Sequence, residues 1–349
     1  MNMAKELREG LLLGIGNPLL DISATVSEDF LKKYDLKPND AILAIEKHKP
    51  LYDELIEHYN ADFIAGGAAQ NSMRVAQWFL GKPKVAIFMG SVGKDKYSEI
   101  LEEKAKENGL NVRYQYVDEV TTGTCAVLIT NGGKYRSLCA NLSAANYFSP
   151  SHIEEPENKK LIQETNCYYI SGFFLTVSPE TIQAVAKHAF QHDKVLMMNL
   201  SAPFLCELYK KPMRAALPYV DVLFGNETEA AAFAKANDFE TTDLKEIAIK
   251  ISNLEKINAK RKRIVIITQG CSPVLLAKNG FIKEYCVTKL TEDKVIDTNG
   301  AGDAFVGGFL AQYIQYHSLD TCIKCGIWAA TQIIQRSGCT YEGKPDFAP

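Results

Sequence analysis

Short apolar runs alternate with amphipathic stretches along most of this chain, and this rhythm limits its fold more than any other feature. Residues 11–15, 84–88, 167–171, 195–200, 222–224 and 264–268 are mainly apolar and of strand length. Residues 179–191, 227–235 and 243–254 place apolar side chains at helical spacing between them. Parallel strands need crossover connections, and the helices that supply them cover both faces of the sheet, so the strands read as continuous apolar runs. The expected fold is α/β: a mostly parallel sheet between two helical layers. Ligands on such sheets collect beyond the carboxyl ends of the strands. Five unusual loops follow expected strands, at Gly16-Asn17, Gly172-Phe173-Phe174, Ser201 to Phe204, Gly225-Asn226-Glu227 and Gln269-Gly270. In that topology they share one rim.

Two segments break the rhythm. Residues 22–65 contain short β-like runs near 21–26 and 41–44, and residues 121–142 read as a hairpin around Asn131-Gly132-Gly133. These pieces do not join a parallel sheet easily. They are expected to form a small β-containing lid from residues 18–68 and 121–142, which closes over the rim and excludes water. Residues 1–17, 69–120 and 143–349 then form the large α/β domain.

Composition narrows the function classes. The chain has 349 residues, 46% of them hydrophobic and 23% charged, with a net charge of −3. No basic surplus is present to hold a nucleic-acid backbone, and Arg261-Lys262-Arg263 reads as a solvated loop. The apolar run at 11–16 is too short to span a bilayer and lacks the flanks of a signal peptide, so a cytoplasmic protein without a membrane partner is expected. Nine cysteines scattered through strand- and helix-like segments fit a reducing compartment. Cys322 and Cys325 have helical spacing and read as a structural pair; His188 and His192 read as one surface helix face. The start Gly14-Ile15-Gly16 lacks the third glycine and the later acid of a dinucleotide site.

Two glycine motifs carry the chemistry. Gly66-Gly67-Ala68-Ala69-Gln70-Asn71 runs into a helix at 73–80. It is either a plain glycine turn or a place where backbone approaches a ligand closely. Asp297-Thr298-Asn299-Gly300-Ala301-Gly302-Asp303 follows a strand-like segment and opens an apolar helix. The uncovered N–H groups of Gly300, Ala301 and Gly302 and the positive end of the helix dipole would favour an anion there. Asp303 is then either a first-turn acid or, beside a phosphate cradle, a base for phosphoryl transfer.

With both motifs in view, the sequence resembles the ribokinase-type (PfkB) carbohydrate and nucleoside kinases. Gly66-Gly67-x-x-x-Asn71 is similar to the family's first motif and Asp297 to Asp303 to its second. Longer runs, among them Gly16 to Ser23, Gly172 to Glu180, Asn199 to Phe204 and Leu223 to Ala230, resemble its nucleoside-phosphorylating members over nearly the whole chain. The resemblance implies a ribokinase-like three-layer α/β/α domain with a small lid. It also implies Mg²⁺- and ATP-dependent phosphorylation of the adenosine 5′-hydroxyl in purine salvage, with adenosine and ATP as small-molecule partners. A lid that covers its own site needs no second copy to close it, so a monomer is expected. Asp303 would be the base, Gly300 to Gly302 the anion hole, and Arg136 a lid arginine that swings onto the phosphates. Asp21 would hold the ribose diol with Asn17, Gly66, Gly67 and Asn71. Leu43, Leu138, Ala140, Phe174 and Phe204 would line an apolar slot for the base. Asn226, Glu229, Thr268, Gly270 and Asn299 would serve ATP, with Glu229 acting on Mg²⁺ through water. Ala68-Ala69 replaces a Ser-Thr pair of better-known relatives and Ala41 a Gln, which implies a smaller and drier nucleoside site.

Overall fold

The computed structural model describes residues 7–38, 40–133 and 135–348. Fourteen strands are present among them. The first seven are β1 (Leu12–Ile15), β2 (Leu19–Thr25), β3 (Ala41–Leu43), β4 (Asp62–Gly66), β5 (Ala86–Gly93), β6 (Asn111–Val117) and β7 (Thr124–Thr130). The others are β8 (Tyr135–Asn141), β9 (Cys167–Ile170), β10 (Val195–Asn199), β11 (Val222–Asn226), β12 (Ile264–Gln269), β13 (Ser272–Lys278) and β14 (Phe281–Tyr285).

Nine of these strands form one sheet in the order β14-β13-β12-β11-β10-β9-β1-β5-β6. From β6 to β12 every pairing is parallel, with Leu12 opposite Ala86 on one side and Cys167 on the other. Core clusters lie on both faces, as the continuous apolar strands require. The chain is an α/β protein of three layers. Its far edge departs from the expectation of parallel pairing alone, because β13 and β14 add as antiparallel hairpin strands with short turns at Gly270 and Gly280.

Helix boundaries follow local chemistry. Pro179–Gln191 starts on Ser178, whose hydroxyl accepts from the Thr181 N–H, with Pro179 at the position where no donor is needed. Leu244–Asn253 starts on Asp243, which accepts from the N–H groups of Lys245 and Glu246. The segment before Asp297 is not a strand: it carries only the 3-10 turn Glu292–Lys294. The N–H groups of Ile296 and Asp297 both go to the carbonyl of Ile334, at the end of the helix Leu319–Ile333. Nor is Arg263 part of a solvated loop. It is 1% exposed, and its guanidinium donates to the carbonyls of Leu217, Val220, Ile251, Leu254 and Glu255. Five carbonyls take up the donors and allow the charge to stay buried.

The remaining strands form a second sheet in the order β3-β8-β7-β2-β4. Its two faces differ by the period of two along each strand. Ile22, Ala24, Ala126, Leu128 and Cys139 point toward the helices Glu28–Lys33 and Lys49–His58 and pack with Phe30, Leu31, Leu51 and Leu55. The opposite side chains, Asp21 and Ser23 on β2, Cys125 and Val127 on β7, and Arg136, Leu138 and Ala140 on β8, face a cleft against the large sheet.

Candidate active site

The cleft, of about 590 Å³, lies between this second sheet and the rim formed by the carboxyl ends of β1, β9, β10 and β11. The two glycine motifs meet in it. Gly67, at φ 91°, precedes the helix Ala68–Leu80; Gly300, at φ 74°, precedes the helix Ala301–Tyr313. Both backbone angles suit glycine. The two helices pack together, and Asn71 Nδ2 donates to Asp303 Oδ2 across 3.1 Å, joining residues 232 positions apart. Gly66 is a glycine for a packing reason: a Cβ there would lie 2.3 Å from Asp21 Oδ1.

Four acids surround this point. Burial pushes Asp303 up to about 7, opposed by the hydrogen bond from Asn71. Burial, then the neighbouring Asp303, push Asp21 up to about 8, although part of its side chain still faces the cleft. Burial also raises Glu229, to about 7, against the N–H of Asn226. Asp297 is raised by burial and lowered by Arg136 and by the N–H groups of Gly338 and Asn299. It is 2% exposed, and its Oδ1 lies 2.8 Å from Arg136 Nε. The same carboxylate accepts from Asn299 N–H at 2.9 Å and Gly338 N–H at 2.7 Å. Arg136 thus rests on the loop that opens the helix Ala301–Tyr313. Two buried atoms at the cleft, Asn17 Oδ1 and Asn299 Nδ2, have no hydrogen-bond partner among the described residues.

The family model for pfkB family carbohydrate kinases matches residues 29–346. The chain belongs to that family. It is 53% identical to adenosine kinase 2 of Arabidopsis thaliana over 339 residues, 97% of this chain and 98% of that one. Among solved structures it resembles Anopheles gambiae adenosine kinase in complex with P1,P4-di(adenosine-5) tetraphosphate, with a TM-score of 0.94 and 58% identity over 98% of this chain and 100% of that one. Schistosoma mansoni adenosine kinase in complex with 2-fluoroadenosine follows with a TM-score of 0.92 and 36% identity over 97% and 99% of the two chains.

Several expectations for this pfkB-family site need correction. Phe174 does not line the cleft: it is fully buried and packs edge-on against Phe148. Its neighbour Phe173 lines the cleft with Phe204, because the 3-10 turn Gly172–Thr176 sends consecutive side chains in different directions. Ala69 is buried against Gly16, so only Ala68 and Ala41 of the three alanines reach the cleft. A shorter side chain there enlarges the cleft, contrary to the smaller site expected. Asn226 and Glu229 line the cleft but also form a capping box. Glu229 accepts from Asn226 N–H at 3.0 Å and Nδ2 at 2.9 Å, and Asn226 Oδ1 accepts from Glu229 N–H at 2.8 Å.

The other expected residues fall into two groups. Asn17, Asp21, Gly67, Asn71, Leu138, Ala140, Phe204, Asn299 and Gly300 line the cleft, with Leu43 at its rim. Gly302 lies next to Asp303 at the open start of its helix. Thr268 and Gly270 sit one strand over, Thr268 in register with Asn226, outside the cleft lining. Sequence reasoning missed Asp297 as the partner of Arg136, and the apolar Cys125 and Val127. The period of two along β7 would have found the last pair once Cys139 was placed on the helix side.

Proposed function

We infer that this chain phosphorylates adenosine, transferring the γ-phosphoryl group of ATP to the 5′-hydroxyl to give AMP and ADP. The observation that carries the reading is the hydrogen bond between Asn71 and Asp303, which joins the two glycine motifs and sets an acid near neutral pKa in the first turn of a helix. Adenosine-kinase relatives at 53% identity over 97% of the chain and 58% over 98% supply the substrate.

In this reading Asp303 accepts the proton of the 5′-hydroxyl as its oxygen attacks the γ-phosphorus, and the bond from that phosphorus to the bridging β-phosphate oxygen breaks. A base near pH 7 is matched to the task. The N–H groups of Gly300 and Gly302 would meet the charge that grows on the transferred group, whereas that of Ala301 already donates to the Thr298 carbonyl at 3.3 Å. Asp21 accepts from both ribose hydroxyls, and Asn17 Oδ1, a buried acceptor, suits a further hydroxyl. Asn299 Nδ2 suits a phosphate oxygen. Phe173, Phe204, Leu138 and Ala140 form an apolar slot for the purine, which a bare sugar would not need.

Among the described residues no group of three or more His, Cys, Asp or Glu side chains is arranged to hold a metal ion. Mg²⁺ would be held mainly by phosphates and its own waters, with Asn226 and Glu229 reaching those waters. When bound, it neutralises phosphate charge. Thr268 and Gly270 lie beside Asn226, where the rest of the nucleotide would extend. A lid built from the same chain supports a monomer, and nine free thiols suit the cytoplasm. No helix among the described residues is long and apolar enough to cross a membrane.

A coupled assay for ADP, run with adenosine, inosine, guanosine and ribose, tests the reading. Adenosine is expected to be strongly preferred. Asp303→Asn should lose on the order of 10²- to 10⁴-fold in kcat while still binding adenosine by calorimetry. Wild-type turnover by that variant would remove Asp303 from the role of base.

A further inference from the structure

Arg74 lies one turn after Asn71 on the helix Ala68–Leu80 and is 6% exposed. The chemistry described above does not use it. A buried guanidinium is costly unless its donors are taken up. Here Nε donates to Asn108 Oδ1 at 2.8 Å, and Nη1 donates to the Ala65 carbonyl at 2.9 Å and to Asn71 Oδ1 at 3.3 Å. The guanidinium carbon sits 5.7 Å from the centre of the Tyr341 ring, and the Tyr341 hydroxyl donates to the Arg74 carbonyl at 2.9 Å.

A side-chain amide has one donating and one accepting end of nearly the same shape. Arginine only donates, and a carboxylate only accepts. With Arg74 on Asn71 Oδ1, the amide must present Nδ2 to Asp303. Turned over, it would set an oxygen against the carboxylate. We propose that Arg74 is a positioning residue for phosphoryl transfer: it locks the Asn71 amide in the orientation that donates to Asp303, and Tyr341 of the C-terminal segment holds Arg74 in place. The inference rests on the functional reading given above.

Without Arg74 the amide samples both orientations. A carboxylate that loses its donor and meets a lone pair binds its proton more tightly. Asp303 is then protonated over a wider range on the acid side, and the loss of rate is larger at low pH than at high pH. The other ionisable groups around this carboxylate are Asp21 on β2, Tyr169 on β9, Glu229 and, beneath Gly300, Cys339, with Asp297 acting on Asp21 and Cys339. Arg74 also lowers Asp21, so the charge effect must be separated from the orientation effect. Lysine at 74 keeps the charge and one donor. Alanine at 71 removes the amide that Arg74 would orient.

The experiment measures kcat and kcat/KM for adenosine on the acid and alkaline sides of neutrality. It compares the unchanged protein with Arg74→Met, Arg74→Lys, Asn71→Ala and the double variant of Asn71→Ala with Arg74→Met. Arg74→Met is expected to lose roughly tenfold in kcat on the acid side, the worth of one hydrogen bond to a charged group, and much less on the alkaline side. Arg74→Lys should stay close to the unchanged protein. In the Asn71→Ala background Arg74→Met should add no further pH-dependent loss. A loss independent of pH, or a pH-dependent loss that persists without Asn71, overturns the proposal. If Arg74→Met does not fold, Tyr341→Leu decides: the same acid-side loss supports the proposal, and a flat profile overturns it. An unchanged protein that forms no ADP with adenosine overturns the functional reading. An active protein with flat variants overturns this inference alone.

Discussion

Asp21, Asp303 and Glu229 stand around one cleft, and burial, the largest influence on each, lifts them from 3.8, 3.8 and 4.5 to about 8, about 7 and about 7. Between about pH 4.5 and pH 8 the folded protein therefore holds more protons than the unfolded chain. Stability falls as pH rises wherever the native state binds the extra protons. The contribution of these groups is complete below their unfolded values and is lost as pH climbs through the folded ones. The thermal midpoint of the ligand-free protein should drop from about pH 5 to about pH 8, and drop less in Asp303→Asn, which cannot titrate. Thermal scans at constant ionic strength check both, and a midpoint that rises over this window would show that the cleft does not keep these acids protonated. Residue identities at the site were legible because glycine and acid in a fixed pattern have few other uses. Side-chain direction was not. Phe173 and Phe174 are the same residue type in the same loop, and only the turn Gly172–Thr176 decides which of them meets the cleft.

Two helices carry the site, and their glycines serve opposite ends. Gly302 lies in the first turn of Ala301–Tyr313, and a Cβ built on it would meet nothing within 4 Å. Gly307 lies deeper in the same helix, where a Cβ would lie 2.6 Å from the Ser72 carbonyl and 2.7 Å from Val75 Cβ on the neighbouring helix. Gly302→Ala should keep or slightly raise the thermal midpoint, since alanine is the better helix former by about 1 kcal/mol, while lowering kcat by crowding the approach of the phosphoryl group. Gly307→Ala should cost about 1–3 kcal/mol from overpacking. Denaturant unfolding and turnover of the two variants separate the roles, and a Gly302→Ala protein with full turnover would show that no phosphate passes there. Elements with strong local signals were legible: Pro179–Gln191 is bounded by its own cap and proline, and the hairpin β7–β8 by Asn131-Gly132. The antiparallel strands β13 and β14 were missed although Asn279-Gly280 marks the turn between them: β13 buries only the short run Val274 to Ala277, and β14 exposes Phe281, Lys283 and Glu284. The strand expected before Asp297 fails because its N–H groups turn to a helix end, a long-range choice with no local signature.

At the scale of the molecule, the second sheet and the loop before the helix Ala301–Tyr313 are tied together by Arg136 and Asp297, whose side chains are 6% and 0% exposed. The alternation of strand and helix made the layered domain legible, and the Asn-Gly hairpin made the second sheet legible. The tie between them was not, since it pairs a face of β8 with a loop 161 positions away. Burying an ion pair yields little net stability, but removing one partner leaves the other charge buried and costs about 3–5 kcal/mol. Arg136→Met and Asp297→Asn should therefore each destabilise the protein by amounts of that order, more than a mobile phosphate-binding arginine would. The double variant leaves neither charge stranded, and its loss should fall short of the sum by about 0.5–3 kcal/mol. Turnover should behave differently. The family resemblance expects Arg136 on the phosphates, and in that role Arg136→Met should lower kcat in both backgrounds. Asp297→Asn keeps the arginine but loosens its seat, so the adenosine KM should rise more than kcat falls. Denaturant unfolding of the four proteins, with steady-state kinetics on each, supplies the cycle. Additivity in stability within about 0.5 kcal/mol would mean that the lid and the loop are close without being coupled. Arg136 would then be poised for phosphate and would not serve to hold the cleft shut.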